Sequence, residues 1–121
     1  MNHTMFVYML RCRDGSIYTG TARDLMKRMR DHFERTPAAA AYTRAKGAHY
    51  LLAAFECESL SLALRAEHAI KSLSRAEKEA LLADPATPFG ERFPALDEGE
   101  IRRLPECDER LVAVRAAYSV P

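Results

Sequence analysis

The stretch Met5-Phe6-Val7-Tyr8-Met9-Leu10-Arg11-Cys12-Arg13-Asp14-Gly15-Ser16-Ile17-Tyr18-Thr19-Gly20 decides the fold. Its first part is apolar on both alternating faces until Arg11, the pattern of a central strand covered on both sides. Asp14-Gly15 supplies a turn, and Ser16 to Thr19 reads as the partner strand of a hairpin. A two-residue loop would put Tyr8 and Tyr18 on opposite faces of the sheet. A three-residue loop, Arg13-Asp14-Gly15 with Gly15 left-handed in a bulge, pairs Tyr18 with Leu10 and puts both phenols on one face. We expect the second, because glycine at that third position is its usual signature. Gly20-Thr21 is expected to end the strand.

Outward from the hairpin, Thr21 with Asp24 three residues on approximates a capping box, followed by Leu25, Met29 and Phe33 at helical spacing. Arg28 and His32 lie four residues apart, on one helix face and one turn apart, flanking that apolar stripe. Taken alone, such a pair is an ordinary solvated helix edge. Thr36-Pro37 stops the helix, and a short second one is expected through Ala38–Ala41 and Tyr42-Thr43-Arg44, ending near Gly47. His49 to Glu58 reads as a third strand, the second-longest of the sheet. Ser59 or Ser61 opens a helix with Ala63, Ala66, Ile70 and Leu73 as its buried stripe. Ser74-Arg75-Ala76-Glu77 is a capping box for a further helix to Asp84, closed by Pro85. Beyond it Pro88, Pro94, Pro105 and Pro121, with Gly90 and Gly99, punctuate the chain. Only Glu106 to Tyr118 is periodic there, through Leu111 and Val114. Residues 1–85 are therefore read as one domain, and residues 86–121 as a helical extension packed on it.

Composition fits this plan. A chain of 121 residues suits one domain, with 48% hydrophobic and 29% charged residues. No apolar run approaches the roughly 18 residues of a membrane span. Met1 to Phe6 lacks a secretory n-region and cleavage site, so a cytoplasmic location is expected. Cys12, Cys57 and Cys107 have neither metal-ligand nor redox spacing, and Cys12 and Cys57 sit in apolar strands as small buried hydrophobes. The net charge of +1 conceals an asymmetry: residues 1–50 balance to +5 and residues 51–121 to −4. A basic front half suits a polyanion, although the two halves could equally satisfy each other across the fold.

Several segments then combine. VYML (Val7–Leu10), YTG (Tyr18–Gly20), an Arg ten residues after Tyr18, a His four beyond it, AYTR (Ala41–Arg44) and ALRAEHAIKSL (Ala63–Leu73) follow in order. Together they resemble the GIY-YIG nuclease superfamily, and within it the small stand-alone single-domain bacterial branch, over about residues 5–83. The resemblance implies an α/β (α+β) fold with a three-stranded antiparallel sheet flanked by helices. It also implies metal-dependent endonuclease activity on nucleic-acid phosphodiesters. Carried over residue by residue, it assigns catalysis to Tyr8, Tyr18, Arg28 and His32, and makes Glu67 the ligand of a single Mg²⁺ or Mn²⁺. Lys27, Thr43 and Arg44 become nucleic-acid contacts. DNA is the expected partner in preference to RNA, with no membrane, and single-strand or structure-directed cleavage in DNA repair or processing is the expected task. The superfamily's frequent asparagine near the metal has no counterpart, the only Asn being Asn2.

The chemistry suits these residue types. Arg28 can stabilise the charge of a scissile phosphate, Glu67 can carry a hard cation, and a phenol can take a proton from water with His32 positioning it. Which phenol does so stays open. For Glu67 the competing reading is a surface ion pair with Lys71, four residues on. Two other functions compete with the nuclease: a nucleic-acid binding module of the same fold without catalysis, and a protein-interaction domain using the acidic run Asp97, Glu98, Glu100, Glu106, Asp108 and Glu109.

Overall fold

In the computed structural model, which describes residues 4–84 and 101–118, β1 (Met5–Cys12) and β2 (Ile17–Ala22) form the three-residue-loop hairpin. Gly15 N–H donates to Cys12 O at 2.9 Å and Cys12 N–H to Ser16 O at 2.8 Å. Gly15 stands at φ 86°, a conformation that costs glycine nothing. Leu10 consequently pairs with Tyr18. β2 runs further than expected, however. Gly20 stays inside the ladder opposite Tyr8, and a Cβ there would fall 2.5 Å from the Tyr8 hydroxyl oxygen. Glycine marks close approach of a ring here, not the strand's end.

Because Thr21 remains in the strand, the helix cap passes to Asp24, whose carboxylate accepts from Lys27 N–H. α1 (Leu25–Phe33) ends in a Schellman motif on a non-glycine residue. Arg35 takes φ 53°, and Thr36 N–H donates to Asp31 O at 3.0 Å. α2 (Ala41–Lys46) closes on Gly47 at φ 80°.

β3 (Ala48–Cys57), at ten residues, is the longest strand and not the second-longest, since it pairs along all of β1. α3 (Leu60–Lys71) is capped by Ser59, and α4 (Arg75–Ala83) carries both halves of its capping box. A fourth strand corrects the three-stranded expectation: β4 (Ile101–Arg103) pairs with β3 before α5 (Glu109–Tyr118). Ile101-Arg102-Arg103 has a single apolar residue, too short a pattern to show alternation. The sheet order is β2-β1-β3-β4, antiparallel throughout.

β1 divides the core by its alternation. Met5, Val7 and Met9 pack with Ala63, Ala66 and Ile70 of α3 on one face. Phe6, Tyr8 and Leu10 pack on the other with Leu25 and Met29 of α1 and Leu111 and Val114 of α5. Cys12 and Cys57 are buried and Cys107 is exposed. No described helix is long and apolar enough to cross a membrane. The expected boundary after residue 85, the acidic Asp97, Glu98 and Glu100, and Asn2 lie outside the described residues. Glu106 and Asp108 of the acidic run are paired with Arg115 and Arg110 of the same chain.

Candidate active site

Tyr8 comes from the centre of β1 and is fully buried, and its hydroxyl lies 2.6 Å from His32 Nε2. His32 is also fully buried, delivered from the last turn of α1 by the spacing that buries Leu25 and Met29. Its other ring nitrogen, Nδ1, lies 2.6 Å from Thr43 Oγ1 in α2. Thr43 in turn donates to Ala40 O at 3.0 Å. Thr43 has one hydroxyl hydrogen, and the Ala40 carbonyl takes it. With its hydrogen on Ala40 the Thr43 oxygen can accept from His32 Nδ1–H, and in that tautomer Nε2 accepts from Tyr8. The polar groups form one continuous chain: Tyr8 hydroxyl, His32 ring, Thr43 hydroxyl, Ala40 carbonyl.

Electrostatics hold this chain neutral. Burial first, and then the nearby Arg28 charge, push the His32 imidazolium down to about 4, against the pull of Asp31. His32 is thus neutral at physiological pH. Burial also drives the Tyr8 phenol well above its ordinary value. The Arg28 guanidinium opposes that rise, while the charges of Tyr18 and Glu67 add to it.

Arg28 is held by its backbone surroundings: Nη1 donates to Ala38 O at 2.7 Å, with Asp31 Oδ2 at 3.9 Å. It borders an open groove of about 410 Å³ lined by Ala22, Arg23, Asp24, Lys27 and Asp31. Tyr18 lies with its ring centroid 6.3 Å from Tyr8 and 5.5 Å from His32. Tyr42 stacks on it at 5.7 Å, and Lys71 Nζ lies 5.9 Å from its ring centroid.

The structure thus brings Tyr8, Tyr18, Arg28 and His32 together on the α1 face of the sheet. Glu67 approaches from α3, at the β2 edge. It is bonded to Lys71 Nζ at 2.8 Å, the surface pair anticipated from the i,i+4 spacing. Lys27 and Arg44 are exposed, Lys27 on the groove beside Arg28. Thr43 is placed differently from its expected role at a phosphate. It is fully buried with its hydroxyl spent on His32 and Ala40, and so has no access to a nucleic-acid backbone. Tyr42, Lys71 and the Ala38 carbonyl belong to the site but carry no local signal. Their roles depend on what α2, α3 and the α1–α2 loop pack against.

Among the described residues no three His, Cys, Asp or Glu side chains gather in one place. The donor offered is one carboxylate, Glu67, whose Oε1 is engaged by Lys71 and whose Oε2 is left for a cation. That set fits a hard divalent ion that keeps its waters and shares a substrate phosphate, and does not fit a thiolate or imidazole cage.

Comparison with known proteins assigns the chain a family. The family model described as the GIY-YIG catalytic domain matches residues 4–80. The UPF0213 protein BH0048 of Halalkalibacterium halodurans is 39% identical over 89 residues, 74% of this chain and 90% of that protein. The UPF0213 protein YhbQ of Escherichia coli is 36% identical over 97 residues, 80% of this chain and 94% of that one. A solution NMR structure of BH0048 aligns with a TM-score of 0.46 at 36% identity, covering 77% of this chain and 96% of the other.

Proposed function

Because the chain belongs to the GIY-YIG family of catalytic domains, we propose that it is a divalent-metal-dependent endonuclease that hydrolyses DNA in preference to RNA. The family is one of endonuclease-type hydrolases acting on nucleic acids, generally with a divalent metal. The supporting observation is the hydrogen-bonded chain from Tyr8 through His32 to Thr43, set beside a guanidinium fixed by Ala38. It is a proton path with a cation aimed at its outer end.

The phosphodiester binds along the groove, its charge met by Arg28 and by the exposed Lys27 and Arg44. Burial is the larger cause of the low His32 pKa; the phosphate's negative charge offsets the second cause, the Arg28 field, and so raises the basicity of the imidazole in part. The Tyr8 hydroxyl is buried against His32 in the free protein, so substrate binding must first uncover it. A water admitted there gives its proton to the phenol oxygen as the phenol gives its own to His32 Nε2. The phenol is neutral before and after, consistent with its raised pKa. The resulting hydroxide forms the new P–O bond, the opposite P–O bond breaks, the departing oxygen takes a proton from solvent, and His32 returns its proton through the phenol to solvent. This makes Tyr8 the relaying phenol and leaves Tyr18 to pack and orient the site. Glu67 is the residue that would hold a single Mg²⁺ or Mn²⁺, which supplies Lewis-acid neutralisation of the phosphate when bound. One metal and one compact domain suit cutting one strand per visit, at single-stranded or branched positions such as arise in DNA repair.

One observation favours a second reading. Glu67 is already neutralised by Lys71, which suits a binding module without catalysis. The purified protein, incubated with Mg²⁺ or Mn²⁺ and single-stranded, duplex, flapped and branched DNA and RNA, decides between them. Wild type should cleave DNA, and Arg28→Ala and Glu67→Ala should each lose about 10²- to 10³-fold in kcat while keeping their folding midpoint. Equal cleavage by all three refutes the site. Salt-sensitive binding with no cleavage moves the binding module to first place.

A further inference from the structure

Building on the nuclease reading, we infer that Thr43 is a positioning residue that fixes the His32 tautomer and thereby makes Nε2 the base of the site. Thr43 is a buried hydroxyl in a six-residue helix, and no substrate can reach it. Its orientation is set by its own helix: the hydroxyl donates to Ala40 O, the same carbonyl that accepts Arg44 N–H at 3.0 Å. A threonine in a helix has few χ1 choices, and this bond selects one. The oxygen is left as a pure acceptor, 2.6 Å from Nδ1.

The consequence is asymmetric. In an isolated neutral histidine the proton can sit on either nitrogen. With Thr43 in place, a proton on Nε2 would point at the Tyr8 hydroxyl and leave Nδ1 facing a hydroxyl with no hydrogen to give. The reversed arrangement thus loses the bond at Thr43 and turns the Tyr8 bond around. Tyr8 would then have to accept from His32, and its own hydrogen would point outward, where the attacking water's proton has to arrive. When His32 takes the Tyr8 proton, the Nδ1–H bond to Thr43 becomes charge-assisted and strengthens. Thr43 therefore favours the protonated intermediate as well as the correct starting tautomer. Its bond costs nothing to reorganise, because the oxygen does not move.

The test uses the full chain with Thr43→Val, which removes the hydroxyl at nearly constant volume, and Thr43→Ser, which restores it. Long-range ¹H–¹⁵N correlation of the imidazole reads the tautomer directly, and kcat and KM on single-stranded DNA with Mg²⁺ read its use. In wild type and Thr43→Ser the proton should sit on Nδ1, with kcat within about threefold of each other. In Thr43→Val the Nε2–H form should appear, and kcat should fall about 10- to 100-fold at unchanged KM, as for other residues that orient a ligand or base from behind. Wild-type His32 carrying its proton on Nε2 overturns the inference without any variant, so failure of Thr43→Val to fold does not protect it. A folded Thr43→Val that keeps the Nδ1–H form, or full kcat, overturns it as well. A wild type that cleaves nothing refutes the nuclease reading, while the tautomer measurement still decides the role of Thr43.

Discussion

His32 is neutral, buried and bonded at both ring nitrogens, and this makes it a stability determinant as well as a site residue. Its neighbours are Tyr8 and Tyr18 from the sheet, Arg28 and Asp31 from its own helix and Thr43 from α2. Its folded pKa is depressed to about 4, against about 6.5 in an unfolded chain. Between those values the unfolded chain binds a proton that the folded chain refuses. The His32 contribution is therefore constant above about pH 6.5 and is lost progressively as pH falls to about 4, by roughly 3 kcal/mol in all. Urea midpoints across that window should drop for wild type and drop less for His32→Gln, with the carboxylate-driven loss common to both. Parallel curves would show that His32 is not held neutral. At this scale the i,i+4 spacing of Arg28 and His32 and the glycine-marked loop that aligns Tyr8 with Tyr18 were readable in the chain. The burial of Thr43 was not, because nothing in AYTR tells which side of a six-residue helix meets α1.

Among elements, β3 holds the least regular backbone, and an arginine repairs it. The register steps from Met9–Ala53 to Leu10–Leu51, so Leu52 has no partner on β1. Arg115 of α5 donates from Nε to Leu51 O at 3.1 Å and from Nη2 to Leu52 O at 3.0 Å, with Glu106 on Nη1 and the Tyr50 ring 5.0 Å beneath. A planar fork meets two carbonyls that a bulge has turned aside. Arg103 does the same at the end of α4, reaching Leu81 O at 2.8 Å and Leu82 O at 3.1 Å. We expect Arg115→Met to cost about 2–3 kcal/mol in chemical denaturation, with Arg115→Lys recovering little of it. A loss below about 0.5 kcal/mol would mean the carbonyls find other partners. Capping boxes and apolar stripes announced α3, α4 and α5 in the chain. The bulge and the two forks went unread, since a bulge leaves no residue signature in an otherwise apolar strand and an arginine's target lies across the fold.

For the molecule as a whole, we take residues 1–85 to carry the chemistry and residues 86–121 to be an extension that stabilises it. Leu104, Leu111 and Val114 are each at most 2% exposed and share a cluster with Tyr8, Leu10 and Met29 behind the site. Burying three such side chains is worth about 1.5–3 kcal/mol each, a sum that reaches the total stability of a typical small domain. A chain ending at residue 84 should therefore show no cooperative thermal transition by circular dichroism. A sharp transition near the intact midpoint would show that the first 84 residues suffice. The hairpin's alternation foretold the layered architecture. β4 escaped, because three residues gain strand character only from the neighbour they join. One further trait follows from where the sulfur atoms sit. Cys57 is sealed in the core with its thiol pushed up to about 12 and Cys12 is raised too, while Cys107 alone faces solvent. Cys107 is therefore the one thiol a reagent can reach, so maleimides meet one cysteine per chain and disulfide cross-linking stops at pairs of molecules.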